Sequence, residues 1–112
     1  MSGITTHVLD TSRGRPAAGI DVTLERLLEG DWRVVGQGRT DDDGRLRTLT
    51  PDAAIAPGAY RLRFDTGRYF AGLGVSTFYP HVAITFEAAQ PSEHYHVPLL
   101  LSPYGYSTYR GS

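Results

Sequence analysis

His94 and His96 stand two residues apart in Glu93-His94-Tyr95-His96-Val97-Pro98-Leu99-Leu100-Leu101, and His7 lies in Ile4-Thr5-Thr6-His7-Val8-Leu9-Asp10. Imidazole, with an ordinary pKa of ~6.5, takes and returns protons near neutral pH. Arg45 directly follows the run Asp41-Asp42-Asp43-Gly44. Its guanidinium is planar and always charged, suited to holding an anion by two parallel hydrogen bonds. These residue types support general acid–base chemistry. Each also has a plain alternative: a solvated strand histidine, a surface arginine, an acidic run that serves only its turn. His81, after Pro80, reads as structural or exposed.

Other chemistries are excluded by composition. With Cys 0, disulfides, thiol nucleophiles and Cys-ligated zinc or iron–sulfur sites are out. All 11 basic residues are arginine, so lysine chemistry is out as well. The i, i+2 spacing of His94 and His96 suits a metal, but no acidic residue stands at metal-motif spacing, and no metal is expected. The nucleophile signatures G-x-S-x-G and S-x-x-K are absent, as are phosphate-binding glycine loops.

The elements that must carry these residues are short. Gly 13 and Pro 7 punctuate the 112 residues too often for long helices. Between the breaks, apolar and polar residues alternate with period two, as in half-buried strands. Ile4 to Asp10, the Ile20-Val22-Leu24 segment, Trp32 to Gly38, Arg45 to Leu49, the Tyr60-Leu62-Phe64 segment, Val82 to Phe86, Glu93 to Leu101 and Tyr106 to Arg110 read as strands. Thr66 to Leu73 reads as the one helix, with Thr66 as its N-cap and Gly74 as its stop. The expected fold is all-β: an antiparallel β-sandwich of about eight strands with one short helix, forming a single domain over residues 1–112.

A net charge of -1 gives no electrostatic case for nucleic acid or an anionic membrane. No apolar run approaches the ~20 residues that span a bilayer, and no signal peptide is visible, so a cytoplasmic protein is expected.

Alternation also assigns faces. Tyr95, Val97, Leu99 and Leu101 form an unbroken apolar side and should enter the core, leaving His94, His96, Pro98 and Leu100 on the other. A surface that mixes imidazole, proline and leucine suits contact with a ligand or another subunit. If Ile4, Thr6 and Val8 point inward, Thr5, His7 and Leu9 point outward. Leu46 and Thr48 then face in, Arg45 and Arg47 out. His7, Arg45 and His96 are thus expected on the outer face of one sheet, although strand order cannot be read from spacing.

The two ends of the chain carry a resemblance. Thr6-His7-Val8-Leu9-Asp10-Thr11 with Gly14-Arg15-Pro16-Ala17, and the block from His94 through Ser102-Pro103-Tyr104-Gly105-Tyr106-Ser107-Thr108-Tyr109-Arg110-Gly111-Ser112, resemble the signatures of the transthyretin-related proteins. Thr40 to Arg45 and Tyr60 to Phe70 fit as well. The ending Tyr109-Arg110-Gly111-Ser112, with His7, Arg45 and His96 at the matching positions, is similar to the 5-hydroxyisourate hydrolase branch rather than to the hormone carriers.

The resemblance implies a transthyretin-like sandwich assembled as a homotetramer, a dimer of dimers with active sites at the dimer–dimer interface. It implies hydrolysis of 5-hydroxyisourate without cofactor or metal. Catalytic roles would fall to His7, Arg45, His96 and Ser112, with Tyr109 and Arg110 also binding substrate. Rival readings are a carrier of aromatic ligands and a plain interaction module, neither of which gives the histidines and the arginine a reason.

Overall fold

Ile4, Thr6 and Val8 alternate with more polar neighbours, and in the computed structural model, which describes residues 3–50 and 55–112, they sit fully inside. They belong to β1 (Gly3–Asp10). There follow β2 (Arg15–Pro16), β3 (Asp21–Leu28), β4 (Asp31–Arg39), β5 (Arg45–Leu46), β6 (Gly58–Phe64), α1 (Thr66–Gly72), β7 (Val82–Ala88), β8 (His94–Ser102) and β9 (Gly105–Thr108). One sheet runs β2-β1-β8-β9, with β5 also on β1; the other runs β4-β3-β6-β7.

Between the sheets pack Ile4, Val8, Val97, Leu99 and Leu101 from the first, and Val22, Leu24, Leu62, Phe64 and Val82 from the second. Burial of each such side chain is worth roughly 1.5–3 kcal/mol, which makes this interface the main source of stability. The buried Asp10 carboxylate closes one end. It accepts from the Ser12 amide and hydroxyl, the Arg13 amide and, at 2.7 Å, the Tyr69 hydroxyl on α1.

The all-β sandwich with one short helix is as expected, with differences in detail. β1 and β8 pair in parallel, Thr5 beside His96, while every other pairing among the described residues is antiparallel. A parallel neighbour far along the chain leaves no local mark in the sequence. The short β2 falls outside the segments that read as strands. β5 ends at Leu46 instead of Leu49, and Thr48 is exposed while Leu49 is buried, so the alternation breaks there. The last strand stops at Thr108, and the tail rejoins β8 through a single bridge between His96 and Gly111. The helix N-cap is Asp65, not Thr66. Thr66 is 1% exposed, turned into the core, and caps nothing.

Candidate active site

Cross-strand register brings the sequence-selected residues together. Arg45 on β5 lies directly opposite His7 on β1, and His7 in turn lies beside Pro98 on β8. One rung along, Thr5 lies beside His96, and His96 is bridged to Gly111. In the antiparallel pair, Arg45 and His7 share a face with Cβ atoms roughly 4.5–5.5 Å apart. That face is the one turned away from the core, as the alternation of β1 and β8 requires.

The acidic turn holds two of these residues in place. Asp41 Oδ1 accepts the amides of Asp43 and Arg45, both at 2.9 Å, and these bonds, the Arg45 amide foremost, lower the Asp41 pKa. Gly44 has φ +75 and packs so closely on β1 that an added Cβ would stand 2.3 Å from the Val8 carbonyl oxygen. The Val8 amide donates to the Gly44 carbonyl at 2.8 Å, which fixes the turn to the strand bearing His7. Arg45 therefore leaves the turn already aimed along the face.

The two histidines present different nitrogens. His7 Nε2 lies 2.9 Å from the Asp43 carbonyl oxygen. A carbonyl only accepts, so Nε2 carries the hydrogen and, in the neutral ring, Nδ1 holds the lone pair. His96 is engaged on the opposite nitrogen: Nδ1 lies 2.8 Å from Thr5 Oγ1, and Nε2 has no hydrogen bond among the described residues. Thr5 Oγ1 is also 2.8 Å from His94 Nε2. Burial lowers the His96 pKa, and the nearby charges of His94, His7, Arg45 and Arg47 lower it further. Neutral imidazole is thus favoured at His96.

The end of the chain divides between two sides. Gly111 lies over the His96 ring, its amide donating to the His96 carbonyl at 2.8 Å, and Ser112 follows at once. Arg110 turns elsewhere. Its guanidinium is 4.6 Å from the centre of the Tyr95 ring and its Nη2 donates to Glu93 Oε1 at 3.3 Å. Tyr109 and Arg110 border a groove of about 330 Å³ with Ile84, Phe86 and Val97, away from the histidine face.

Within the chain the structure therefore gathers His7, Arg45 and His96, places Ser112 directly after the Gly111 that adjoins His96, and sets Arg110 apart. Thr5 and Gly111 were missed. Thr5 shares a face with His7 at i, i−2, but its link to both β8 histidines depends on the parallel register. His94 and His96 converge on the Thr5 hydroxyl, and among the described residues no group of three His, Cys, Asp or Glu side chains is placed to hold a metal.

Two four- and five-stranded sheets packed face to face, with an imidazole- and guanidinium-bearing outer surface, define a β-sandwich of the transthyretin type. A family model described as the HIUase/Transthyretin family matches residues 4–111, and the chain belongs to that family. It is 49% identical over 109 residues to the 5-hydroxyisourate hydrolase of Salmonella dublin, covering 97% of this chain and 80% of that one. With the 5-hydroxyisourate hydrolase of Caulobacter vibrioides it shares 48% identity over 116 residues, with both chains fully covered. Among solved structures, Klebsiella pneumoniae 5-hydroxyisourate hydrolase superposes with a TM-score of 0.87 at 38% identity, covering 100% of both chains. Sparus aurata transthyretin gives a TM-score of 0.93 at 28% identity, covering 99% of this chain and 97% of the other. The fold is common to both kinds of relative, so the side chains on the outer face must decide between their activities.

Proposed function

We propose that this chain hydrolyses 5-hydroxyisourate, opening a cyclic amide to give 2-oxo-4-hydroxy-4-carboxy-5-ureidoimidazoline in urate degradation. One observation carries the reading: His7, Arg45 and His96 share one face of one sheet, in a chain nearly half identical to proteins bearing that enzyme name. A carrier of aromatic ligands needs no such trio.

A neutral imidazole takes a proton from water as the water oxygen bonds to the ring carbonyl carbon. Collapse of the tetrahedral intermediate breaks the C–N bond, and the imidazole proton goes to the departing nitrogen. His7 Nδ1 holds a lone pair for this, and His96 Nε2 is the ring nitrogen with no hydrogen bond among the described residues. Arg45 binds the anionic substrate and steadies the negative charge that develops on oxygen. Ser112 brings a hydroxyl next to His96 by way of Gly111 and hydrogen-bonds substrate. Arg110 holds the tail in place through its contacts with Tyr95 and Glu93, and Tyr109 stays free to bind substrate. No metal enters this scheme, and chelator should leave the rate unchanged.

The same reading includes a homotetramer, a dimer of dimers, with the histidine face at the dimer–dimer contact. The half-buried Leu100 beside the histidines gives that face apolar area for a subunit contact. The cysteine-free composition fits the cytoplasm as its place of action.

The test follows the ultraviolet decay of 5-hydroxyisourate, freshly made from urate and urate oxidase, with and without the protein, alongside sedimentation for the assembly. Acceleration over spontaneous hydrolysis at catalytic protein concentration is expected. A folded tetramer that gives no acceleration would sink the enzyme and leave the carrier.

A further inference from the structure

Thr5 is only 9% exposed, yet its hydroxyl oxygen lies 2.8 Å from His96 Nδ1 and 2.8 Å from His94 Nε2. A hydroxyl has one hydrogen to donate. It can therefore donate to one of these nitrogens only, and the other nitrogen must carry its own hydrogen and donate to Oγ1. At least one of His96 Nδ1 and His94 Nε2 is therefore protonated, and when the hydroxyl hydrogen is used between the rings, one is protonated and the other bare. On the far side of the His96 ring, Gly111 packs so tightly that a Cβ there would stand 2.6 Å from Cδ2. Thr5 and Gly111 thus hold the ring from two sides, and Nε2 has no hydrogen bond among the described residues.

We propose that Thr5 and His94 form a proton relay behind His96, in which Thr5 sets the His96 tautomer and His94 takes up the positive charge. The proposal rests on the hydrolase reading above. In the resting state His96 Nδ1–H donates to Thr5 Oγ1, Thr5 O–H donates to His94 Nε2, and His96 Nε2 is bare. When Nε2 takes a proton from water, the Nδ1 proton passes to Oγ1 as the Oγ1 proton passes to His94 Nε2. His96 is then neutral with its hydrogen on Nε2, and His94 is the imidazolium. When the C–N bond breaks, the reverse shift returns a proton to His96 Nδ1 while the Nε2 proton goes to the departing nitrogen. Every proton that enters the relay leaves it.

Electrostatics give the shift its purpose. Burial first, and then the charges of His94, His7, Arg45 and Arg47, disfavour a cation at His96. His94 is exposed, so water screens the same charge there. The ring centroids are 6.3 Å apart, a distance one hydroxyl bridges. Thr5 is a positioning residue in this scheme, since it acts through His96.

The experiment compares Thr5→Val, which keeps the β-branched shape, with Thr5→Ser, which keeps the hydroxyl, and with His94→Phe. Thr5→Val should lower kcat roughly tenfold to a hundredfold with KM little changed, less than losing the base itself. Thr5→Ser should restore most of that loss, and His94→Phe added to Thr5→Val should cost nothing more. Imidazole 15N spectra of the substrate-free protein provide a readout independent of activity. Wild type should show His96 protonated on Nδ1 and bare on Nε2, a tautomer that Thr5→Val should no longer fix. Three results would each overturn the relay: a Thr5→Val enzyme with the wild-type kcat and pH profile, a loss that Thr5→Ser does not restore, or spectra with His96 protonated on Nε2. Inactive wild type would count against the hydrolase reading alone, and the spectra would still decide the hydrogen-bond coupling.

Discussion

Gly111 is joined to His96 twice: its amide donates to the His96 carbonyl at 2.8 Å, and its α-carbon lies so close to the imidazole that a Cβ would meet Cδ2 at 2.6 Å. The same Cβ would stand 3.3 Å from Pro98 Cγ. Glycine is required here by close approach, because β8 and the tail meet with no room between them. Gly111→Ala should tilt the His96 ring or lift the tail. A displacement of about 1 Å at a reacting group is enough to cost ~10² in rate. Activity on 5-hydroxyisourate should therefore fall by up to about that factor while the melting temperature changes little, since the contact lies outside the core. Wild-type turnover in Gly111→Ala would show that the tail does not position the ring.

Arg45 supplies geometry as well as charge. It emerges from a turn whose Asp41 carboxylate binds its amide at 2.9 Å, and it faces His7 across the strand pair. Lysine keeps the charge but loses the planar fork. Arg45→Lys should reduce kcat/KM by ~10²–10³, the usual effect of removing a preorganised electrostatic contact. Steady-state kinetics on the variant check this, and a loss below a few-fold would reduce Arg45 to a general surface charge.

His96→Ala separates an enzyme from a carrier. The ring is half-buried on the outer face, and Thr5 keeps His94 as a partner when it is removed, so stability should drop by only about 0.5–1.5 kcal/mol. Turnover should fall by ~10²–10⁴, the range for loss of a general base. Urea unfolding, sedimentation and the absorbance assay on one preparation would show whether a folded assembly has lost catalysis specifically.

The core was legible because it depends on local alternation. Tyr95, Val97, Leu99 and Leu101 declare their face within one strand, and all four are buried. The outward direction of His7, Arg45 and His96 was legible for the same reason. Their adjacency was not, because it depends on β1 lying parallel to β8, and the contact of Thr5 with His96 spans most of the chain. The placement of Arg110 was hidden for a related reason. A polar tail residue reads as free to reach a substrate, and only the folded chain shows its guanidinium over the Tyr95 ring. Thr66 misled because a threonine at a helix start is usually a cap, whereas this one was needed to fill the core.

The pH dependence should show His96 in two ways. Burial first, and then the charges of His94, His7, Arg45 and Arg47, place its pKa below the ordinary value of ~6.5. A base must be neutral to act, so kcat/KM should be flat above that value and fall on an acid limb whose midpoint lies below ~6.5. A rate unchanged between about pH 5 and pH 8 would remove both histidines from the role. Stability should move with the same sign. Between the folded and unfolded pKa of His96 the unfolded chain binds more protons, so the fold loses stability as pH drops through that window. Glu25 lies in a lower window: the Arg61 hydrogen bond at 2.8 Å lowers its pKa, and its contribution is lost only as pH falls through the carboxylate range. Urea unfolding of wild type and His96→Gln at about pH 7.5 and pH 5 keeps Glu25 ionised throughout. Wild type should lose more stability than the variant over that interval, and equal losses would mean that the fold does not disfavour a proton on His96.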